Sequence, residues 1–204
     1  MLREEFDTLT QQDIDFFLDV IWRSCGRLQR LVENYSTHLQ LETVMLDPTR
    51  RDLLRNHLIR DAGDIILRTV EPLAHAHMRP SDLRHKLESR AMRISEDNLA
   101  KMVYELIDNA FKFSEPGDAI GVGSFTKDDC YHIVIEDRGR GIPPVFMDKL
   151  GKPFMQFERE EQEQQGVGLG FSIAKRIAEA HGGSVTVRSK QDEGTRVHVQ
   201  LPLN

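Results

Sequence analysis

Two glycine-rich clusters constrain this chain more than any other feature. The first follows an apolar, strand-like run and reads Asp137-Arg138-Gly139-Arg140-Gly141. The second reads Gly166-Val167-Gly168-Leu169-Gly170 and leads into a helical stretch. Glycine lets backbone approach a flat ligand without a Cβ in the way, and the free N–H groups at a helix start attract phosphate. Together the clusters predict a site for a flat, phosphate-bearing ligand.

Either cluster alone is a weak signal, because glycine-rich turns beside strands and helices are common. A dinucleotide-binding Rossmann turn is the competing interpretation of the second cluster. That motif belongs after the first strand of a βαβ unit and has two residues, not one, between its second and third glycines. Here the cluster follows a polar run, residues 158–165, late in the chain. The Rossmann interpretation therefore fails on context.

A helix predicted from Asp97 to Phe113 carries a polar face upstream of both clusters. Glu105, Asp108, Asn109 and Lys112 fall at i, i+3, i+4 and i+7, opposite the apolar face that would pack on a sheet. The Asn109 oxygen suits Mg²⁺, which prefers hard oxygen ligands. Lys112 can counter phosphate charge, and Glu105 can orient a metal-bound water or the attacking group. The alternative is a solvated helix face with ordinary charge pairs.

With two later segments, these motifs resemble the nucleotide-binding boxes of the histidine-kinase ATPase family, whose fold is shared with the gyrase, Hsp90 and MutL ATPases. Residues 152–159 resemble the family's phenylalanine box, and Gly194-Thr195 resembles its late Gly-Thr pair. Each motif is modest by itself. Four of them in the family's order, from Glu105 to Thr195, are together a strong signal.

The resemblance implies an ATP site that works with Mg²⁺. The implied catalytic residues are Glu105, Asn109 and Lys112, with Asn109 also the metal ligand. The adenine amine would be held by Asp137, supported by Thr195, and the phosphates by the second glycine cluster under a lid from about residue 144 to 165. The implied nucleotide-binding residues are Asp137, Gly139, Gly141, Phe154, Phe157, Gly166, Gly168, Gly170 and Thr195.

The predicted elements divide the chain into a helical dimerisation segment, residues 1–60, and an ATP-binding domain, residues 61–204. The expected fold class is α+β: a bundle or coiled-coil helix, followed by an α/β sandwich whose mixed, mostly antiparallel sheet is covered on one face by helices. Helices are predicted at 11–46, 49–59, 65–77, 97–113 and 171–180, and strands at 83–87, 91–94, 119–125, 131–136, 184–189 and 195–201. His181 is expected to cap the last helix as a partly cationic ring.

The first predicted helix carries a regular apolar stripe. Its members are spaced alternately four and three residues apart: Ile14, Leu18, Ile21, Cys25, Leu28, Val32, Tyr35 and Leu39. This spacing is typical of a coiled-coil or bundle seam, and a lone helix with such a stripe is not stable. We expect a homodimer through residues 14–39.

A helix ahead of the ATPase domain and a His-Gly-Gly helix end narrow the resemblance to sensor histidine kinases of two-component systems. It implies a protein-histidine kinase, with a response-regulator receiver domain as the downstream partner. The family's phosphoacceptor motif is absent: His57 is followed by Leu58, where the family places an acid. The acceptor histidine is expected on a helix from the rest of the protein or another chain.

Two alternatives stay open. The chain could be a non-catalytic, ATP-gated switch or scaffold, since Arg138 stands where the family favours Asn and Arg140 is also unusual. A serine kinase of the anti-sigma type lies between the two, although such regulators lack a long dimerising helix.

Composition excludes several functions. The formal net charge of −6 disfavours nonspecific binding to nucleic acid or to an anionic membrane surface. No apolar run is long enough to span a bilayer, and the polar, acidic start is unlike a signal peptide. The 2 cysteines form no close pair, which fits a reducing, cytoplasmic setting.

Overall fold

The structure is a computed structural model that describes residues 10–147, 150 and 169–203. Its helices are α1 (Gln11–Leu46), α2 (Pro48–Arg55), α3 (Ala62–Ala76), α4 (Glu96–Lys112), α5 (Pro144–Met147) and α6 (Gly170–Ala180). Its strands are β1 (Leu83–Lys86), β2 (Ile120–Lys127), β3 (Cys130–Asp137), β4 (Ser184–Lys190) and β5 (Gly194–Pro202). The predicted order of helices and strands is confirmed, apart from the strand at residues 91–94 and the short helix α5, which was not predicted.

The helix starts follow from capping chemistry. Thr10 and Asp13 form a capping box at the start of α1. The Asp47 side chain accepts from backbone N–H groups of α2, which has proline in its first turn. Ser95 caps α4 by accepting from the Asn98 N–H, as the sequence indicates.

The strands form one five-stranded sheet in the order β1-β2-β3-β5-β4. β1 pairs parallel with β2, and every other pair is antiparallel. Period-two alternation sends Tyr131, Ile133 and Ile135 of β3 to the buried face. That face packs against α4 and α6, with α3 packed on α4. The predicted α+β class, with helices on one face of a mostly antiparallel sheet, is confirmed.

The strand predicted at residues 91–94 is wrong. This segment makes a single antiparallel bridge, between Met92 and Ile59. Met92 and Ile94 are buried, so the alternation seen in the sequence is real. Both side chains lie in the core just before the Ser95 cap. Helix α4 begins directly afterwards, so the segment is too short to form further strand pairing.

His181 caps α6, but the expected cationic ring is wrong. Its Nδ1 lies 2.8 Å from the carbonyl oxygen of Ile177, and the residue is buried. Burial lowers the pKa of His181, and the nearby positive charge of Arg55 lowers it further. The ring therefore caps the helix in its neutral form.

Helix α1 packs on α4 and α6 only near its C-terminal end. His38 and Leu41 are buried there, and Glu42 accepts from Arg176 of α6 at 2.7 Å. Lys101 of α4 donates to the side-chain oxygen of Asn34 at 2.7 Å. The stripe of residues 14–39 is otherwise largely exposed, Leu28 to 62%. Homodimerisation through it stays a prediction.

Within residues 10–147, 150 and 169–203, no helix is both long and apolar enough to cross a bilayer.

A buried arginine fixes the end of α4. The Arg79 guanidinium pairs with Asp82 at 2.7 Å and donates to the Phe111 and Ser114 carbonyl oxygens at 3.1 and 3.0 Å. It also donates to the carbonyl oxygens of Glu115 and Asp118. One side chain thus satisfies the carbonyl groups that the helix end and the following turn leave open.

We expect Arg79→Met to lower the free energy of unfolding by about 3–5 kcal/mol, because it leaves the buried Asp82 carboxylate without its counter-ion and several buried carbonyl groups unpaired. Urea denaturation measures the change. Arg90→Ala, at an exposed position, is the matched control and should stay within about 0.5 kcal/mol of the wild type. Equal stability of the two variants would contradict a structural role for Arg79.

Candidate functional site

Asp137 ends β3 with its carboxylate half-buried. Its Oδ1 accepts two backbone hydrogen bonds, from the N–H of Gly139 at 2.9 Å and of Thr195 at 3.2 Å. Burial raises the pKa of Asp137, although those two hydrogen bonds act against the shift. Oδ2 makes no hydrogen bond within the described residues, so it can accept one from a ligand.

Thr195 lies directly opposite Asp137 in the β3–β5 pairing. Its Oγ1 is 2.9 Å from Ser189 Oγ. The single hydroxyl proton of Ser189 goes to the Gly194 carbonyl oxygen at 2.9 Å, so the Thr195 hydroxyl must be the donor in this pair. The Thr195 oxygen then keeps its lone pairs available beside the carboxylate.

The positions around Asp137 require glycine, because neighbouring backbone atoms leave no room for a Cβ. A Cβ on Gly139 would lie 1.9 Å from the carbonyl oxygen of Phe113. A Cβ on Gly141, whose φ is +64°, would lie 2.0 Å from that of Lys190. These turns therefore pack against the end of α4 and the β4–β5 turn. The expectation that glycine serves the approach of a flat base stays untested.

Contacts through Phe113 bring the Asp137 turn and the polar face of α4 together. The Arg140 N–H donates to the Phe113 carbonyl oxygen at 3.0 Å. The Arg140 guanidinium also lies over the Phe113 ring, 4.9 Å from its centroid. Asn109 is one turn back along α4, with its side chain partly exposed and making no hydrogen bond among the described residues.

Lys112 and Asp108 form an ion pair on this face of α4. Asp108 is buried, and its Oδ1 lies 2.9 Å from His77 Nε2 at the end of α3. The His77 ring stacks on Phe111, with centroids 4.9 Å apart. Burial alone would raise the pKa of Asp108, but its hydrogen bond to His77 and the charge of Lys112 lower it overall. Asp108 is therefore a carboxylate that holds the Lys112 ammonium in place.

Glu105 is buried against the start of α6. It pairs with Lys101 at 2.7 Å, and a Cβ on Gly170 would lie 2.3 Å from its Oε2. Among the described residues, no side chain caps α6 at Leu169. The carboxylate is thus beside the positive end of that helix, a favourable position for a negative charge.

Several predicted residues lie outside the described part of the chain. These are Phe154, Phe157, Gly166 and Gly168, together with residues 148–149 and 151–165 of the predicted lid. The described residues bring the predicted Asp137, Gly139, Gly141 and Thr195 to one end of the sheet, and Glu105, Asn109 and Lys112 to the neighbouring face of α4.

Sequence reasoning missed the residues that support this site. His77 and Arg79, from the segment after α3, hold Asp108 and the end of α4. No local pattern could have found them, because their partners lie roughly 30 to 40 residues away in the sequence. Ser189 was missed for the same reason, since its role depends on the β4–β5 pairing.

Similarity to solved structures defines the fold. A full-length ShkA bound to AMPPNP superposes on 95% of this chain with a TM-score of 0.72 at 19% identity, covering 39% of that chain. A mycobacterial sensor histidine kinase MprB covers 72% of this chain and 97% of its own, with a TM-score of 0.61 and 28% identity. The fold is therefore that of the ATPase region of sensor kinases.

The family follows from the sequence. Residues 94–204 match the family described as histidine kinase-, DNA gyrase B-, and HSP90-like ATPase, and the chain belongs to it. The histidine protein kinase DivJ of Caulobacter vibrioides is 33% identical over 143 residues, which are 70% of this chain and 22% of DivJ. The chain spans between 20% and 34% of the length of the curated relatives it matches. The family resemblance seen in the sequence is confirmed.

We expect Asp137→Asn to change how stability depends on pH. A carboxyl group whose pKa is raised by folding contributes stability below its ordinary pKa of about 3.9, and loses it as pH rises through the folded value. The asparagine oxygen keeps both hydrogen bonds without a buried charge. The variant should therefore gain stability relative to wild type as pH increases through that window.

Urea denaturation across a pH series measures this difference. Asp129→Asn, in an exposed turn at positive φ that asparagine tolerates, controls for the loss of one negative charge. If the stability of the wild type and of Asp137→Asn changed in parallel with pH, the raised pKa of Asp137 in the folded state would be contradicted.

Proposed function

We propose that this chain is the Mg²⁺-ATP-binding catalytic region of a sensor histidine kinase. The observation that carries the proposal is the half-buried Asp137 carboxylate, with Oδ2 open at the end of the sheet, in a chain of this ATPase family. Relatives named as histidine protein kinases support the same activity.

Adenine recognition is assigned to Asp137 and Thr195. The exocyclic amine of adenine would donate to Asp137 Oδ2, while Oδ1 stays held by two backbone N–H groups. The Thr195 oxygen supplies a second acceptor, because its own proton goes to Ser189. A fixed pair of acceptors favours an amino-substituted base over one that carries a carbonyl oxygen at that position.

The triphosphate is assigned to the polar face of α4. The side-chain oxygen of Asn109 fits Mg²⁺, because it is partly exposed and not engaged by another described residue. The bound ion would neutralise phosphate charge. Lys112, held by Asp108, presents an ammonium group to the phosphates. Glu105 would orient a water or the attacking group, and the backbone of the second glycine cluster would hold phosphate oxygens.

The proposed reaction moves the γ-phosphoryl group of ATP to an imidazole nitrogen, and ADP leaves. The acceptor histidine is supplied by a helix of the rest of the protein or of another chain. The phosphoryl group then passes to an aspartate of a response-regulator receiver domain. Catalysis of this type depends mainly on positioning and charge neutralisation, which suits a site whose side chains are fixed by buried partners.

A second candidate is an ATP-gated switch without phosphoryl transfer. The contact that favours it is the packing of α1 on α6, where Glu42 pairs with Arg176. A change at the start of α6, where Glu105 and Gly170 meet, could reach α1 through this one helix. The two candidates share the nucleotide site and differ only in whether a histidine becomes phosphorylated.

Thermal unfolding with and without an Mg²⁺-ATP analogue tests the site. The analogue should stabilise the wild type by about 2.7 kcal/mol when present at about 100 times its Kd. Asn109→Ala should remove this effect, because it deletes the proposed metal ligand. Asn98→Ala, on the first turn of the same helix, is the matched control and should retain it. An equal shift in all three proteins would refute the assignment of Asn109.

The proposed dimer is tested at α1. Leu28→Lys places a charge in the exposed stripe and should convert a dimer to a monomer in sedimentation or light scattering. Leu58→Lys is the control, since Leu58 is similarly exposed, 70% against 62%, but lies outside α1. A wild type that stays monomeric at high concentration would rule out this interface.

A further inference from the structure

Lys101 of α4 connects α1 to the carboxylate of Glu105. Its ammonium nitrogen donates to the side-chain oxygen of Asn34 at 2.7 Å and lies 2.7 Å from Glu105 Oε1. It also lies 5.7 Å from the centroid of the Tyr104 ring on the same helix. An ammonium group has three N–H donors, so it can serve both oxygens at once. Three groups therefore fix the position of this charge.

The contact between Lys101 and Glu105 differs from an ordinary charge pair on a helix surface. The lysine precedes the glutamate by four residues, which is the less favourable order for the stability of a helix. The Glu105 side chain is only 7% exposed, and a buried carboxylate is costly unless it is paired. The burial of Glu105 therefore accounts for this pair, whereas helix formation by itself does not.

The two oxygens of Glu105 have different surroundings. Oε1 is beside the Lys101 ammonium, while Oε2 is beside the start of α6, where a Cβ on Gly170 would lie 2.3 Å away. Oε2 accepts no hydrogen bond from residues 10–147, 150 or 169–203. The lysine thus compensates one side of the carboxylate and leaves the other side towards the last residue of the second glycine cluster.

Helix α1 helps to hold the Lys101 ammonium in place. Asn34 is partly buried in the C-terminal half of α1. The same half is tied to α6 by Glu42, which accepts from Arg176 at 2.7 Å. Helix α1 is therefore attached to both helices that border Glu105. A shift of α1 that moved Asn34 would remove one of the two acceptors of the ammonium.

We propose that Lys101 is a positioning residue for Glu105, and that Asn34 of α1 keeps its ammonium on that carboxylate. This inference rests on the proposed function, in which Glu105 acts beside the phosphates of ATP. The ammonium holds the carboxylate in one orientation and neutralises it, so that a triphosphate can bind nearby. Without the ammonium, an unpaired negative charge beside the phosphates repels them.

Calorimetric titration of the whole chain with a non-hydrolysable Mg²⁺-ATP analogue, and separately with adenosine, tests this role. Lys101→Met removes the charge and keeps the length of the side chain. It should weaken binding of the analogue about tenfold, the size of one charge-assisted hydrogen bond. Adenosine binding should be unchanged, because adenosine carries no phosphate. Unchanged binding of the analogue, or an equal loss for both ligands, would overturn the proposal.

Two further variants separate the charge pair from a general effect of charge. Lys101→Arg keeps a cation that can bind both oxygens, so it should bind the analogue within about threefold of the wild type. Lys175→Met removes a lysine from a pair of the same order and spacing, with Glu179 on α6, and should also bind like the wild type. Equal losses in Lys175→Met and Lys101→Met would reduce the effect to net charge and reject the proposal.

A double-mutant cycle with Glu105 shows whether Lys101 acts through that carboxylate. In a Glu105→Gln background no carboxylate is left to neutralise, so Lys101→Met should weaken binding of the analogue by less than about threefold. If the full loss of about tenfold persisted there, Lys101 would be a direct phosphate ligand and the positioning role would be refuted.

A second cycle tests the part played by α1. Asn34→Ala should weaken binding of the analogue about threefold in the wild type and have no effect in Lys101→Met, because it acts through the lysine. Gln40→Ala, at an exposed position of the same helix, is the control and should bind like the wild type. Equal effects of Asn34→Ala in both backgrounds would contradict the connection to α1.

The proposed function and this inference can fail separately. A wild type that binds no ATP analogue would refute the proposed function, and the inference with it. A wild type that binds the analogue, loses it in Asn109→Ala and keeps it fully in Lys101→Met would refute only the role of Lys101.

Discussion

The buried guanidinium of Arg79 is the interaction on which the rest of the site depends. It donates hydrogen bonds to carbonyl groups at the end of α4 and in the turn that follows. The Asp82 carboxylate fixes its position. A buried arginine is stable only when all of its donors are used, so this geometry is tightly determined. Phe113 and Ser114 at the fixed helix end then provide the backbone surface against which Gly139 packs.

The Asp137 turn shows how backbone proximity creates a chemically useful carboxylate. Gly139 packs on α4, while Gly194, at φ +109°, would place a Cβ 2.1 Å from the Asp137 carbonyl oxygen. Because no larger residue fits either position, the two turns close around Asp137 and supply backbone N–H groups to one of its oxygens. The other oxygen is left facing the proposed base. Burial raises the pKa of this group and lowers the stability of the fold when the group is charged, a cost that is consistent with the proposed recognition of adenine.

Helix α6 links three features of the molecule. Its start contacts Glu105, its outer face pairs Arg176 with α1, and its end is capped by the neutral His181. One element of 11 residues therefore contacts both the proposed nucleotide site and the N-terminal helix. This arrangement allows binding at one place to alter packing at another, because a short, well-packed helix moves as a unit.

Local patterns in the sequence determined most of the helices and strands, the Ser95 cap and the polar face of α4, because periodicity and capping act between near neighbours. The order of the motifs determined the family. Only the tertiary structure decided which polar residues are available. It pairs Lys112 with Asp108, buries Glu105, and leaves His181 neutral, with one buried nitrogen that no described residue pairs with. These outcomes depend on contacts between distant segments and on desolvation. Neither can be read from residue spacing along the chain.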